Sequence, residues 1–337
     1  MKVSVFLSFN NKIMYNYKWW KGWGIMKKVI YLVSMLLILT GCNPNAEITT
    51  EKSLYFVYAT PLKEHEIWLK AKVGFDKACK EKNINGDWLG PTAIDTNKME
   101  EVIETAIAQK ADAIITQGVI DPIIINKAKA KGIPILLVDS DIKDSERFAY
   151  LGKDFNEQAE LFLADIEKNL GKDTFLEIGI QVAEKGFDIA GQQVNEIKNV
   201  FKKHPGGYEI KIVSESKSDS VRAKKEWLNI LSTTSINVTI NFAGESAISC
   251  NEAAKELKVR DKMLIYGVDD MPDTIKLIKD NQIDGSVVTS FYNYGYEATN
   301  WLYDYIVNGK QLSEKINSVK LVLVTNENVS NYQEELK

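Results

Sequence analysis

The chain has 337 residues, with 42 Lys and Arg against 46 Asp and Glu, two histidines and three cysteines. Its length allows two domains, and its acidic balance argues against a nucleic-acid partner, which would need basic patches. His65 and His204 have no metal-ligand company, so neither a zinc site nor a cofactor is expected.

In chain order, the first feature is "MKKVIYLVSMLLILTGC", Met26 to Cys42. Lys27 and Lys28 precede an apolar run from Val29 to Leu39 and then small residues, the layout of a secretory signal. A run of eleven residues is too short to span a bilayer, which takes roughly 20. "LTGC" looks like a bacterial lipobox, so Cys42 is expected to be the lipid attachment site. The residues before Met26 read as translation from a misassigned start. Residues 1–41 hold six lysines and no acid, which leaves 36 basic against 46 acidic groups in the remainder, a net charge of −10. This fits an extracytoplasmic body, tethered by residues 42–52 and held at the membrane by lipid.

Strand and helix signals then alternate. "LYFVYA" is a strand and "EIWLKAKVGFDKACKEK" a helix; "DWLGP" ends a second strand and "NKMEEVIETAIAQK" is the next helix. "ADAIITQG", "PIIINKAKAKG" and "IPILLVD" continue the rhythm as strand, helix and strand. After "FAYLGKDF" it starts afresh, running from helix "NEQAELFLADIEKNLG" through to helix "YGYEATNWLYDYIVNG" and a final strand, "SVKLVLVT". Such lengths predict repeated βαβ units with right-handed crossovers, and hence two doubly wound, Rossmann-like α/β lobes. Cys79 and Cys250 fall in amphipathic helical patterns and are expected to be buried thiols rather than a disulfide. No glycine-rich phosphate loop follows a strand.

In "GIPILLVDSDI", Ile133 to Val138 show no polar alternation, the mark of a strand covered on both faces. The ligand crevice of an open parallel sheet lies at the carboxyl ends of its strands, which makes Asp139, Ser140 and Asp141 a candidate site. An enzyme reading takes "ILLVDSDI" as the DxD of a magnesium-dependent phosphatase. Asp139 would then be nucleophile, Asp141 general acid, and Asp269 and Asp270 of "YGVDDMPD" the metal ligands. Against it, three βα units precede the DxD, and no lysine-bearing third motif stands between the clusters. The protein is accordingly expected not to be an enzyme.

From Leu54 to about Val324 the sequence resembles the periplasmic sugar-binding proteins of the ribose- and galactose-binding type, which serve ABC importers. "RFAYLGKDFNEQAE" is similar to their R-x-x-Y-V-G-T-D-N-x-x-A-G segment, and "LIYGVDDMPDTIKLIKDNQIDGSVV" to their V-G-F-D-x-x-P segment. "EIWLKAKVGFDKACKEKNI", with Gly74, looks like their first helix, and "YGYEATNWLYDYIVNGK" like their closing one.

The resemblance implies a type I periplasmic binding protein, with two lobes joined by a three-strand hinge. Residues 53–153 and 290–319 would form the first lobe and residues 154–289 and 320–337 the second, with crossovers near 152–155, 286–291 and 317–321. It implies that Asp139 and Asp269 accept hydrogen bonds from sugar hydroxyls, since charge-assisted bonds are the stronger kind, and that Trp68 walls the sugar ring. His65 and Gln117 fall where first-lobe polar contacts are placed. Gln193 (or Gln192) stands at the family's pocket arginine, Glu245 lies beside its Asn-Asp pair, and Thr289 replaces a glutamine. The implied function is reversible capture of a pentose or hexose. The partner would be an ABC permease or a membrane sensor kinase, with no nucleic acid involved.

Overall fold

A computed structural model describes residues 53–336. The expected signal, lipid attachment at Cys42 and tether lie outside them. The first sheet takes β1 (Tyr55–Ala59), β2 (Asn85–Leu89), β3 (Ala113–Gln117), β4 (Ile135–Asp139), β5 (Ala149–Gly152) and, far along the chain, β11 (Ile316–Ser318). Its order is β11-β5-β4-β3-β1-β2, every pairing parallel. The second sheet takes β6 (Leu176–Val182), β7 (Tyr208–Glu215), β8 (Val238–Asn241), β9 (Leu264–Val268), β10 (Gly285–Val288) and β12 (Val322–Thr325). Its order is β12-β10-β9-β8-β6-β7, parallel except for the antiparallel edge strand β12. Each sheet with its covering helices is a lobe.

The chain passes between the sheets three times, after β5, after β10 and after β11. The third passage runs through Val319–Leu321. The final strand is therefore shorter than "SVKLVLVT": β12 takes only Val322–Thr325, while Ser318 ends β11 in the first sheet.

β4 is buried along its whole length, as an unalternating run in a parallel sheet should be. Local chemistry sets the helix starts: Asp95, Asp121, Asp154, Asp219 and Ser290 each accept a backbone N–H at the helix they precede, satisfying donors that have no partner within the helix. The first helix, α1 (Glu66–Lys82), crosses α9 (Phe291–Asn308) at a pair of glycines. A Cβ on Gly74 would lie 2.1 Å from the Tyr292 carbonyl oxygen, and one on Gly295 would lie 1.9 Å from that of Ala71. Only two glycines let the backbones approach this closely. The contact matters to the site because the first turn of α1 carries Trp68 and that of α9 carries Phe291. No helix among the described residues is long and apolar enough to cross a membrane.

Candidate functional site

The carboxyl ends of β4 and β9 open toward each other across the two lobes. Asp139 ends β4 and Asp269 follows β9, and both hold left-handed backbone, with φ of 63° and 68°. That region is costly for residues other than glycine and persists where the surroundings enforce it, often at functional sites. In each lobe a neighbouring strand supplies the constraint. The Tyr150 hydroxyl donates to the Asp139 carbonyl (2.9 Å), and the Ser286 hydroxyl to the Asp269 carbonyl (2.7 Å).

Between them lies a cavity of about 100 Å³. At about 10–15 Å³ per water on this measure, it takes several waters or one small molecule. His65, Trp68, Gln117, Asp139, Lys153 and Phe291 line it from the first lobe and its crossovers, facing Phe187, Gln193, Phe242, Glu245 and Asp269. Trp68 is 5% exposed and meets Phe291 edge-on, centroids 5.3 Å apart at 87°. The two rings give the cavity an apolar wall.

Lys153, absent from the sequence-derived site, sits at its centre. Its side chain is 5% exposed, and its Nζ lies 2.9 Å from Asp139 Oδ1 and 3.5 Å from Asp269 Oδ1. The ammonium also stands 5.1 Å from the centre of the Phe291 ring, within cation–π range. Burial by itself would lower the pKa of this lysine; Asp139 and then Asp269 outweigh it and hold the group above its ordinary value, fully charged. Burial raises the Asp269 carboxyl, with Lys153 opposing. Asp139 is better served, since Gln117 Nε2 also donates to its Oδ2 at 2.7 Å. Tyr58 and Tyr294 are fully buried, with hydroxyls that have no protein partner. Burial, and after it the Asp139 charge, raises both phenols well above the usual value.

Of the residues expected from sequence, Trp68, His65, Gln117, Asp139, Gln193, Glu245 and Asp269 line this one cavity. His65 also starts α1, its Nδ1 accepting the Ile67 amide at 3.3 Å. Ser140 and Thr289 do not line it. The Ser140 hydroxyl donates to the Gly118 carbonyl (2.9 Å), in the loop after β3, and that of Thr289 to the Lys320 carbonyl (3.0 Å), where two crossovers meet. The phosphatase geometry is not assembled either. Asp141 points away from the cavity into a buried pair with Arg147, with Nε–Oδ1 at 2.5 Å and Nη2–Oδ2 at 2.8 Å. Asp270 is held by Lys70, and the described residues form no cluster of three potential metal ligands. The only sequence signal for Lys153 was a charged residue directly after a buried strand, where the similar segment has threonine.

Two parallel-sheet lobes, crossed three times by the chain and holding a small polar cavity at their strand ends, define a cleft-type binding protein. The sequence matches a periplasmic binding protein domain over residues 56–311, and the chain belongs to that family. The D-galactose/methyl-galactoside binding periplasmic protein MglB of Haemophilus influenzae is 25% identical over 209 residues, which are 57% of this chain and 62% of that relative. The chain is thus matched over less than two thirds of that relative's length. Among solved structures, GanP, a glucose-galactose binding protein from Geobacillus stearothermophilus, is 22% identical with a TM-score of 0.77, covering 82% of this chain and 98% of GanP. XylFII is 25% identical with a TM-score of 0.74, over 81% of this chain and 98% of its own. The same identity and TM-score hold for the XylFII–LytSN complex, over 82% and 98%.

Proposed function

We propose that the protein captures a monosaccharide, a pentose or hexose, in the cavity between its lobes, without making or breaking a covalent bond. The observation that carries this reading is the convergence of Asp139 and Asp269, one strand-end carboxylate from each lobe, on a small cavity walled by Trp68 and Phe291. Carboxylates bond adjacent hydroxyls strongly, an aromatic face suits the C–H side of a sugar ring, and a buried site rejects ligands that leave its polar groups unpaired. The similarity to MglB and GanP points the same way. Titration calorimetry against a panel of pentoses and hexoses tests it. Saturable binding of one or a few is expected, and no binding across the panel would remove the reading.

Downstream, the capture serves delivery to an ABC permease. A sensing role, in which the closed form is presented to a membrane kinase, is the second reading, and similarity to the XylFII–LytSN complex favours it. In either role the protein works outside the cytoplasm, anchored through Cys42. Cys42→Ser should shift it from the detergent-rich to the aqueous phase of a phase-separating extract; wild-type protein already in the aqueous phase would refute the anchor.

A further inference from the structure

The cavity holds more negative than positive charge. Of the residues lining it, only Lys153 and His65 could be cationic. His65 is engaged at the start of α1, where its Nδ1 accepts the Ile67 amide at 3.3 Å, and it makes no ion pair with Glu245. At the rim, Glu184 pairs with Lys217, and Asp95 caps its helix and lies 3.5 Å from Lys98. The inner carboxylates are Asp139, Asp269 and Glu245. The first two share Lys153; Glu245 has no cation.

Glu245 is 8% exposed. Its Oε1 receives only a long 3.4 Å bond from the Ser246 hydroxyl, and its buried Oε2 has no partner. It precedes the helix Ser246–Glu256 yet makes no side-chain cap bond, so helix capping does not account for it. The neighbouring Gly244 runs close to the second-lobe aspartate: a Cβ there would lie 3.3 Å from Met271 Cγ and 3.8 Å from Asp269 Oδ2. A buried carboxylate without a partner is costly, and a ligand offering no donor there would seal Glu245 in unpaired.

We infer that the ligand is an amine-bearing sugar whose protonated amino group pairs with Glu245, while its hydroxyls bond Asp139 and Asp269. This rests on the monosaccharide reading and specifies its chemical class. An ammonium would supply both the missing donor and the missing positive charge. A uronate or sugar phosphate would add to the excess and should be rejected.

The test is calorimetry on the wild-type protein at about pH 6, below the ordinary amine range. Glucosamine and galactosamine are compared with glucose, galactose and glucuronate. The expected result is that one amino sugar binds at least about tenfold more tightly than its neutral parent, a difference of about 1.4 kcal/mol, and that glucuronate does not bind. Glu245→Gln should then bring that ratio close to one. Neutral sugars binding as tightly as their amino counterparts, or a preference that survives Glu245→Gln, would overturn the inference and leave the monosaccharide reading in place. Failure of these sugars, and of the pentose and hexose panel run beside them, to bind would overturn both. The wild-type comparison decides the matter even if the variant does not fold.

Discussion

The two strand-end aspartates share a backbone conformation and differ in what surrounds their side chains. Asp139 is met by Gln117 from the neighbouring strand and by Lys153 at 2.9 Å, both from its own side of the cleft. Asp269 has only the longer Lys153 contact, across the cleft, and burial raises its carboxyl. The first lobe therefore carries its half of the site already assembled. The second lobe presents under-satisfied acceptors, Asp269 and Glu245, whose partners must come from outside it. In a protein that closes around a ligand, this asymmetry lets one lobe hold the ligand first, with the other completing the enclosure.

The sharpest way to break that contrast is to remove each carboxylate in turn. Asp139→Ala should cost stability on the order of 3–5 kcal/mol, because it strips a buried ammonium of its nearer partner, and should also abolish ligand binding. Asp269→Ala should cost about 1 kcal/mol of stability or less, since loss of the long ion pair is offset by release of a buried charge. Its ligand affinity should nevertheless fall roughly tenfold to a hundredfold. Urea unfolding and calorimetry read the two quantities separately, and equal stability losses would mean the lobes are not unlike in this way.

A smaller effect is expected where α1 meets α9. Gly74→Ala pushes a methyl group against the Tyr292 carbonyl, and overpacking of this kind typically costs about 1–3 kcal/mol. If the Trp68–Phe291 wall is built by that contact, ligand affinity should fall along with the melting temperature. A melting change with affinity intact would separate the wall from the helix crossing.

Lys70 of α1 reaches the other lobe, its Nζ 2.5 Å from Asp270 Oδ1 and 3.1 Å from the Asp270 carbonyl oxygen. Its side chain is 37% exposed, so the pair is worth about 0.2–1 kcal/mol. Lys70→Ala should therefore enlarge the ligand-free protein slightly in solution scattering and weaken ligand binding by no more than about fivefold. Unchanged scattering would show that this bridge does not help hold the lobes together.

The smallest effect concerns thiols. Burial pushes both Cys79 and Cys250 up to about 12, with no disulfide between them. In the folded Cys42→Ser protein neither should react with a thiol reagent near neutral pH, and both should react after unfolding. Fast labelling of Cys79 in the folded state would mean that α1 opens readily and that the first lobe is less firmly built than the second.

The sequence by itself determined the fold class. Apolar runs without alternation require two-sided cover, helical repeats between them supply it, and the rhythm restarts once, near "LGKDF". It also placed Asp139 and Asp269, because a parallel strand's carboxyl end is a fixed place in the fold. Tertiary structure decided which polar groups meet. Ser140 and Asp141 directly follow Asp139, yet one bonds a loop carbonyl and the other an arginine, since the turn after β4 sends successive side chains in different directions. Lys153 follows a strand in the same sheet as β4; the side-by-side pairing of β4 with β5 brings its ammonium to Asp139, and the facing of the two lobes brings it to Asp269. Hydrophobic pattern is a local property that a linear sequence records. Charge pairing depends on separations of a few ångströms between distant residues, and these are set only when the strands are laid side by side and the lobes face each other.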